Sequence, residues 1–107
     1  MVEVIKFSRK VESLETEAQK ETRLFTPTES EIVEHHPFNQ IDMTNNGGED
    51  LEVRPDGDEN RAILVPAGVG KVDNSNAFEF LTVFNRHATD TSSASDMFCL
   101  VRKVIDK

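Results

Sequence analysis

Residues 51–68 read LEVRPDGDENRAILVPAG and contain the clearest structural signal in the chain. Two short runs of alternating apolar residues, at 51–53 and 63–65, flank the turn-forming sequence Pro55-Asp-Gly-Asp58. A period of two interrupted by turn residues is typical of antiparallel strands joined by a hairpin. We therefore expect the apolar residues of both runs to face a core.

The same pattern continues on both sides of this hairpin. Residues 38–44 form a strand candidate that ends at the turn sequence Asn45-Asn-Gly-Gly48, and 77–85 and 97–105 are longer, more apolar strands. We expect loops at 69–75 and at 86–95, because these segments are mostly polar. Many strands without intervening helices predict a mainly β fold, a small antiparallel β-sandwich or jelly roll, for residues 37–107.

Residues 1–36 differ in composition and are predicted to form an N-terminal arm. Residues 2–7 suit a short strand or an extended anchor. In the segment 8–22, Val11, Leu14 and Ala18 have helical spacing, so this part is either one short helix or an extended chain. Proline at position 27 would end a helix, and 30–34 is a candidate for a short edge strand.

Charge and cysteine content exclude several classes of protein. The formal net charge of −8 disfavours both nucleic acid and an anionic membrane surface as partners. No apolar run approaches the roughly 20 residues of a membrane-spanning helix, so we expect a protein in solution. The single cysteine, Cys99, excludes an internal disulfide, and its apolar surroundings predict a buried, unreactive thiol.

Two motifs have the residue types of a metal site. Asp56-Gly-Asp58-Glu-Asn60 matches the first half of a calcium loop. However, the glycine and the glutamate that complete such a loop are replaced by Arg61 and Ala67, so a hairpin tip is the better interpretation. Adjacent His35 and His36 would point to opposite sides of an extended chain, and no third ligand is suitably spaced. We predict no metal site.

Two further motifs contain fragments of catalytic or cofactor-binding signatures. His87, Asp90 and Ser92 or Ser93 are the residue types of a nucleophilic triad, but they lie within one short loop that lacks an oxyanion-binding motif. Gly68-Val-Gly70 begins like a dinucleotide fingerprint but has aspartate at the position of the third glycine. The sequence therefore predicts a protein that is not an enzyme and needs no cofactor.

Residues 38–103 resemble small virion proteins of tailed bacteriophages. The resemblance rests on the Asn-Asn-Gly turn at 45–47, Asp-Leu-Glu-Val at 50–53, the Asp-Gly-Asp turn at 56–58 and Ile-Leu-Val-Pro-Ala-Gly at 63–68. It implies a compact β-sandwich with a structural role in a capsid, neck or tail. Residues 1–36 take no part in the resemblance.

The resemblance implies a non-enzymatic capsid decoration or cement protein, assembled into the virion in the host cytoplasm. Its partners would be the major capsid protein or other virion proteins, and copies of itself in a homo-oligomer. Apolar residues on the polar arm would be its contacts with the shell or a neighbouring copy: Val4, Ile5, Phe7, Val11 and Leu14.

Two alternatives remain at this point. One is a head–tail or tail accessory subunit. The other is a small ligand-binding module of the adhesive or carbohydrate-binding kind. Such modules usually present aromatic platforms, whereas this chain has no Trp or Tyr.

Overall fold

Within residues 2–106, which the computed structural model describes, eight strands form two antiparallel sheets of four strands each. The strands are β1 Glu3–Glu12, β2 Glu21–Phe25, β3 Gln40–Asn45, β4 Leu51–Pro55, β5 Ile63–Val65, β6 Gly70–Asp73, β7 Leu81–Asn85 and β8 Met97–Asp106. A helix, α1, spans Glu29–His35, and a 3-10 turn spans Glu59–Arg61. The predicted mainly β sandwich is confirmed.

The strand order identifies the sandwich as a jelly roll. The first sheet has the order β1-β8-β3-β6, and the second has the order β2-β7-β4-β5. Strand β1 pairs with β8, β2 with β7, β3 with β6 and β4 with β5, as in one long hairpin that has been rolled up. This wrapping of an antiparallel ribbon into two sheets is the jelly-roll architecture.

The tip of the rolled hairpin is the predicted turn between β4 and β5. Asp56 and Gly57 both adopt positive φ values, of 55° and 70°, which reverse the chain after Pro55. In the pairing of β4 with β5, Leu51 lies opposite Val65, and both side chains are fully buried. The hairpin expected from the sequence is thus confirmed in position and in the direction of its apolar residues.

The core lies between the two sheets and is centred on aromatic rings. Phe38 is fully buried, and its ring centroid lies 5.2 Å from that of Phe25, 5.3 Å from that of Phe7 and 6.0 Å from that of Phe78. Aliphatic residues from both sheets surround this cluster. They are Val11, Leu24, Ile41, Met43, Leu51, Val53, Val65, Leu81, Val83, Met97 and Val101, together with Cys99.

The predicted arm is part of the sandwich. Strand β1 pairs with β8 along its whole length, and β2 pairs with β7, so residues 3–25 supply one edge strand to each sheet. The helical alternative for 8–22 is wrong, because Val11 faces the core in a strand. The division into an arm at 1–36 and a sandwich at 37–107 therefore does not describe this chain, whose sheets need both segments.

Helix α1 replaces the predicted edge strand at 30–34. Thr28 caps the helix, because its hydroxyl accepts a hydrogen bond from the Glu31 N–H while the Glu31 carboxylate accepts one from the Thr28 N–H. This reciprocal capping box stabilises a helix start. Arg9 of β1 binds the same carboxylate at 2.7 Å, which fixes α1 against the edge of the first sheet.

Three smaller predictions differ from the structure. Asn45-Asn-Gly-Gly48 does not close a hairpin, because β3 and β4 belong to different sheets. The loop predicted at 69–75 contains β6, an edge strand with exposed side chains. The strand predicted at 77–85 begins only at Leu81, and Phe78 instead forms an isolated bridge with Phe38.

Candidate functional site

The five apolar residues predicted as arm contacts fall into two groups. Val11 is buried in the core, and Phe7 packs on Phe38 and stacks on His35. Ile5 and Leu14 are 57% and 60% exposed, while Val4 is half-buried near the end of β1. Part of the predicted contact set therefore stabilises the domain itself, and Ile5 and Leu14 remain available to a partner. The prediction that they bind one stays a prediction.

Ile5 belongs to the outer face of the first sheet, which carries several apolar side chains. Opposing residues on paired antiparallel strands point to the same side, and Ile5 lies opposite Val104. On the same side are half-buried Phe98 and Leu100 of β8 and Val72 of β6, which is 60% exposed. These five apolar residues spread over three strands, and the core of the sandwich covers none of them.

Charged residues stand among these five apolar residues, and Asp42 lies between Leu100 and Val72. Lys10 of β1 and Asp42 of β3 both lie opposite Leu100, so the three side chains form one line across the sheet. Arg102 lies one step further along β8, where it hydrogen-bonds Gln40 and approaches Asp42 at 3.7 Å. The face therefore combines apolar groups with charges of both signs.

The outer face of the second sheet has a different chemistry. Arg54 lies 3.1 Å from Glu52 and 3.4 Å from Glu21, Arg86 binds the other Glu52 oxygen, and Thr82 donates a hydrogen bond to Glu21. Glu52 is buried and Arg54 is mostly covered, whereas the side chains of Glu21 and Arg86 are partly exposed. These charged groups bind one another, which leaves this face with fewer free groups for a partner than the first sheet.

Cations cover the partly exposed phenylalanine rings. Arg54 lies over Phe84 at 4.2 Å, and Arg23 lies over Phe80 at 4.0 Å. These contacts are cation–π interactions on the outer side of the second sheet. A sugar that stacked on either ring would have to displace a guanidinium group, so neither ring is a ready platform for carbohydrate.

The calcium-like sequence at 56–60 forms a closed ion-pair cluster. Arg61 lies 2.6 Å from Asp56 and 3.5 Å from Asp58, in the place a cation would take. Asp56 also accepts hydrogen bonds from the N–H groups of Glu79 and Phe80. Burial raises the pKa of Asp56, but these hydrogen bonds and Arg61 outweigh it and hold the pKa below its usual value. The cluster ties the hairpin tip to the segment before β7.

The histidine side chains, like the cluster at 56–60, make contacts within the fold. His35 ends α1 and stacks on Phe7, while His36 points toward Glu79. His87 accepts hydrogen bonds at Nδ1 from the N–H groups of Thr89 and Asp90, and so closes a tight turn. In the same loop, Ser92 is buried and bonds the carbonyl of Thr16. No nucleophile–base contact links these residues in the described part of the chain.

The remaining glycine and cysteine motifs show no ligand-binding geometry. Gly68 has a φ of 76° in the turn between β5 and β6, and Gly70 begins β6, so no helix follows the motif. Cys99 is fully buried between the sheets, and burial followed by the charge of Asp42 raises the pKa of its thiol far above the ordinary value. The predicted unreactive thiol agrees with this environment.

Comparisons with known proteins give no relative. No family model, curated protein or solved structure matches the chain. Within residues 2–106, no group of three or more His, Cys, Asp or Glu side chains is arranged to hold a metal ion. Across the same residues, no helix has the length and apolar character needed to cross a membrane.

Proposed function

We propose that this protein is a non-enzymatic structural component of a phage-like virion, a capsid decoration or cement protein that binds the shell and neighbouring copies. The observation that carries the proposal is the contrast between the two outer faces. The first face exposes Ile5 and Val72 and half-exposes Leu100 and Val104, whereas the second face exposes Leu64 and is crossed by the ion pairs of Arg54 with Glu52 and Glu21. A subunit that docks by one side and faces water by the other needs this asymmetry.

The jelly roll supports the proposal as a mechanical element. Its two sheets pack around a core that includes three fully buried phenylalanines, which makes a rigid body. Jelly rolls occur in viral capsid proteins and in lectins, so the fold is compatible with the role by analogy alone. The resemblance of residues 38–103 to small phage virion proteins favours the capsid over the lectin.

The head–tail or tail accessory role is the alternative that the same face would serve. It differs in the part of the particle that holds the chain. The ligand-binding alternative is disfavoured, because Arg23 and Arg54 cover the rings that a sugar would need.

Mass spectrometry of particles purified by density gradient from a culture that makes this chain tests the proposal. We expect the chain to remain with intact capsids in a fixed ratio to the major capsid protein. Disruption of the particles into heads and tails then separates the roles, since a tail accessory subunit would follow the tails. Absence of the chain from washed particles would overturn the virion proposal.

A further inference from the structure

We propose that the outer face of the first sheet joins two copies of this chain through a two-fold axis that runs along β8. This inference rests on the proposed function, because it names the surface by which neighbouring subunits meet. It assigns the outward apolar residues of β8 to a second copy of the chain rather than to the shell.

A two-fold interface requires a surface that is complementary to itself. The line Lys10–Leu100–Asp42 has this property. Lys10 and Asp42 lie on the strands to either side of β8, each opposite Leu100. Neighbouring strands are about 4.8 Å apart, so the two opposite charges stand at similar distances from the central leucine.

The axis lies between the two facing sheets and runs parallel to β8. A half-turn about it exchanges the positions of the two flanking strands. In the facing copy, β3 then lies over β1, and Lys10 meets Asp42 of the partner subunit. The same rotation brings Asp42 to the partner subunit's Lys10, so each dimer contains two such pairs. Leu100 meets its own equivalent at the axis, which gives an apolar centre bordered by complementary charges.

The charges also exclude the perpendicular arrangement. An axis across the strands through the same line would stack Lys10 on its own equivalent and Asp42 on its own equivalent. Like charges placed face to face are repulsive. The charge pattern therefore selects one of the two simple two-fold axes.

The rest of β8 fits the selected axis. Phe98 and Val104 lie on the same side as Leu100 and flank it along β8. The Lys10 ammonium lies over the Phe98 ring at 4.9 Å, so Lys10 covers part of this ring within its own subunit.

Arg102 also lies on the axis and faces its own equivalent. Its guanidinium leans toward β3, where it hydrogen-bonds Gln40 at 3.0 Å and lies 3.7 Å from Asp42, so the two guanidinium groups of the dimer stand on opposite sides of the axis. Asp42 then lies between its own Arg102 and the partner subunit's Lys10.

The expected interface is small. Each strand residue covers about 16 Å², from a spacing of about 4.8 Å between strands and about 3.4 Å along them. Strand β6 lies beyond β3 and faces no strand of the partner, so β1, β8 and β3 overlap and cover on the order of 400 Å² per copy. The two copies together would bury on the order of 800 Å², below the standard size of specific interfaces. We therefore expect a dimer that dissociates on dilution.

The test measures the mass of the full chain in solution by light scattering and sedimentation over a range of concentrations. We expect Lys10→Glu and Asp42→Lys each to weaken the dimer about tenfold, because each replaces two attractive contacts by two repulsive ones. The double variant Lys10→Glu with Asp42→Lys restores the pairing with the signs exchanged, so its dissociation constant should return toward the wild-type value. Circular dichroism confirms that each variant is folded.

Leu64→Lys is the matched control for Leu100→Lys, because Leu64 is a 39% exposed leucine on the second sheet that lies opposite Glu52, where a lysine is compatible with its neighbour. Leu64→Lys should leave the dimer unchanged, whereas Leu100→Lys should abolish it. A wild-type chain that is monomeric at every concentration overturns the inference. A dimer that ignores the charge reversals, or that the double variant fails to restore, overturns it as well. In either case the wild-type chain can still be found on purified particles, so failure of the dimer is distinguishable from failure of the virion proposal.

Discussion

Asn45 and Asn85 make the same three side-chain hydrogen bonds at the ends of two strands in different sheets. Each side chain is fully buried. Each Nδ2 donates to two backbone carbonyl oxygens, and each Oδ1 accepts from the N–H two residues later in the chain. The partners are Glu49, Val65 and Gly47 for Asn45, and Thr16, Asp90 and His87 for Asn85. Two equivalent clamps thus hold the loops at one end of the jelly roll.

Asn45→Ala and Asn85→Ala should each destabilise the protein by about 3 kcal/mol. Each substitution leaves buried carbonyl oxygens without a donor, and each unpaired group costs about 1–3 kcal/mol. Denaturant unfolding followed by circular dichroism measures the loss. Asn74→Ala is the control, since Asn74 is exposed in the loop after β6. Wild-type stability in either buried variant would contradict the clamp.

Two adjacent glycines should respond differently to alanine. A Cβ at Gly47 would lie 2.4 Å from Oδ2 and 2.9 Å from Cβ of Asp96, whereas a Cβ at Gly48 would meet no atom within 4 Å. We expect Gly47→Ala to cost about 1–3 kcal/mol through overpacking. Gly48→Ala should be neutral or slightly stabilising, because it restricts the unfolded chain. Equal midpoints of thermal unfolding for the two variants would argue against a close contact at Asp96.

Removal of residues 1–36 should prevent folding. The truncated chain would lack β1 and β2, and their partners β8 and β7 would lose one neighbour each. Val101 and Leu81, both fully buried, would then be uncovered at the sheet edges. Near-ultraviolet circular dichroism and light scattering of a chain that begins at Phe38 measure this directly. A folded monomer would show that residues 1–36 are a separable arm.

The ionised carboxylate of Asp56 should stabilise the folded protein near neutral pH but not at strongly acidic pH. Its pKa is lower in the folded protein than the ordinary 3.8, so its contribution is complete above the unfolded pKa and disappears as the pH falls through the folded pKa. The difference in unfolding free energy between wild type and Asp56→Asn should therefore shrink below about pH 4. Glu59→Gln, on the same turn, serves as the control. A difference that is constant from pH 7 to pH 2 would contradict the assignment.

Cys99 should be inert toward thiol reagents in the folded protein. Its sulfur is fully buried, and its raised pKa removes the reactive thiolate at neutral pH. A colorimetric disulfide reagent should label one thiol per chain only after addition of guanidinium chloride. Rapid labelling of the native protein would show that the two sheets separate readily near Met43 and Cys99.

The sequence predicts the hairpin at 51–65 because the apolar alternation and the turn-forming residues indicate the same structure there. Leu51 and Val53 alternate with polar residues, and Asp56 and Gly57 tolerate the positive φ values that the turn requires. The strand at 97–105 is predicted from its apolar first half, but this continuous run hides which residues face outward. Phe98 and Leu100 lie on the outer side, and only the pairing with β1 and β3 reveals this.

Other elements depend on contacts that local patterns do not contain. Val72 is the only large apolar residue of β6, so this edge strand forms because β3 offers it a partner. The Thr28 and Glu31 capping box is a local signal for α1 and could have been found in the sequence. Of the five predicted partner contacts, Ile5 and Leu14 are the exposed ones. The line through Lys10, Leu100 and Asp42 joins three distant segments and appears only in the folded sheet.

The rolled hairpin has a consequence for the order of folding. Only the β4–β5 pair is formed by neighbouring segments, and every further pair closes a longer loop, up to the one between Glu3 and Asp106. Topologies with such non-local pairing fold on the order of milliseconds to seconds. Strand β8 lies between β1 and β3 in the first sheet, so a nascent chain cannot complete that sheet until β8 has left the ribosome. Until then, the edges of β1 and β3 are open to other chains, and this window is the time at which the protein is most exposed to aggregation.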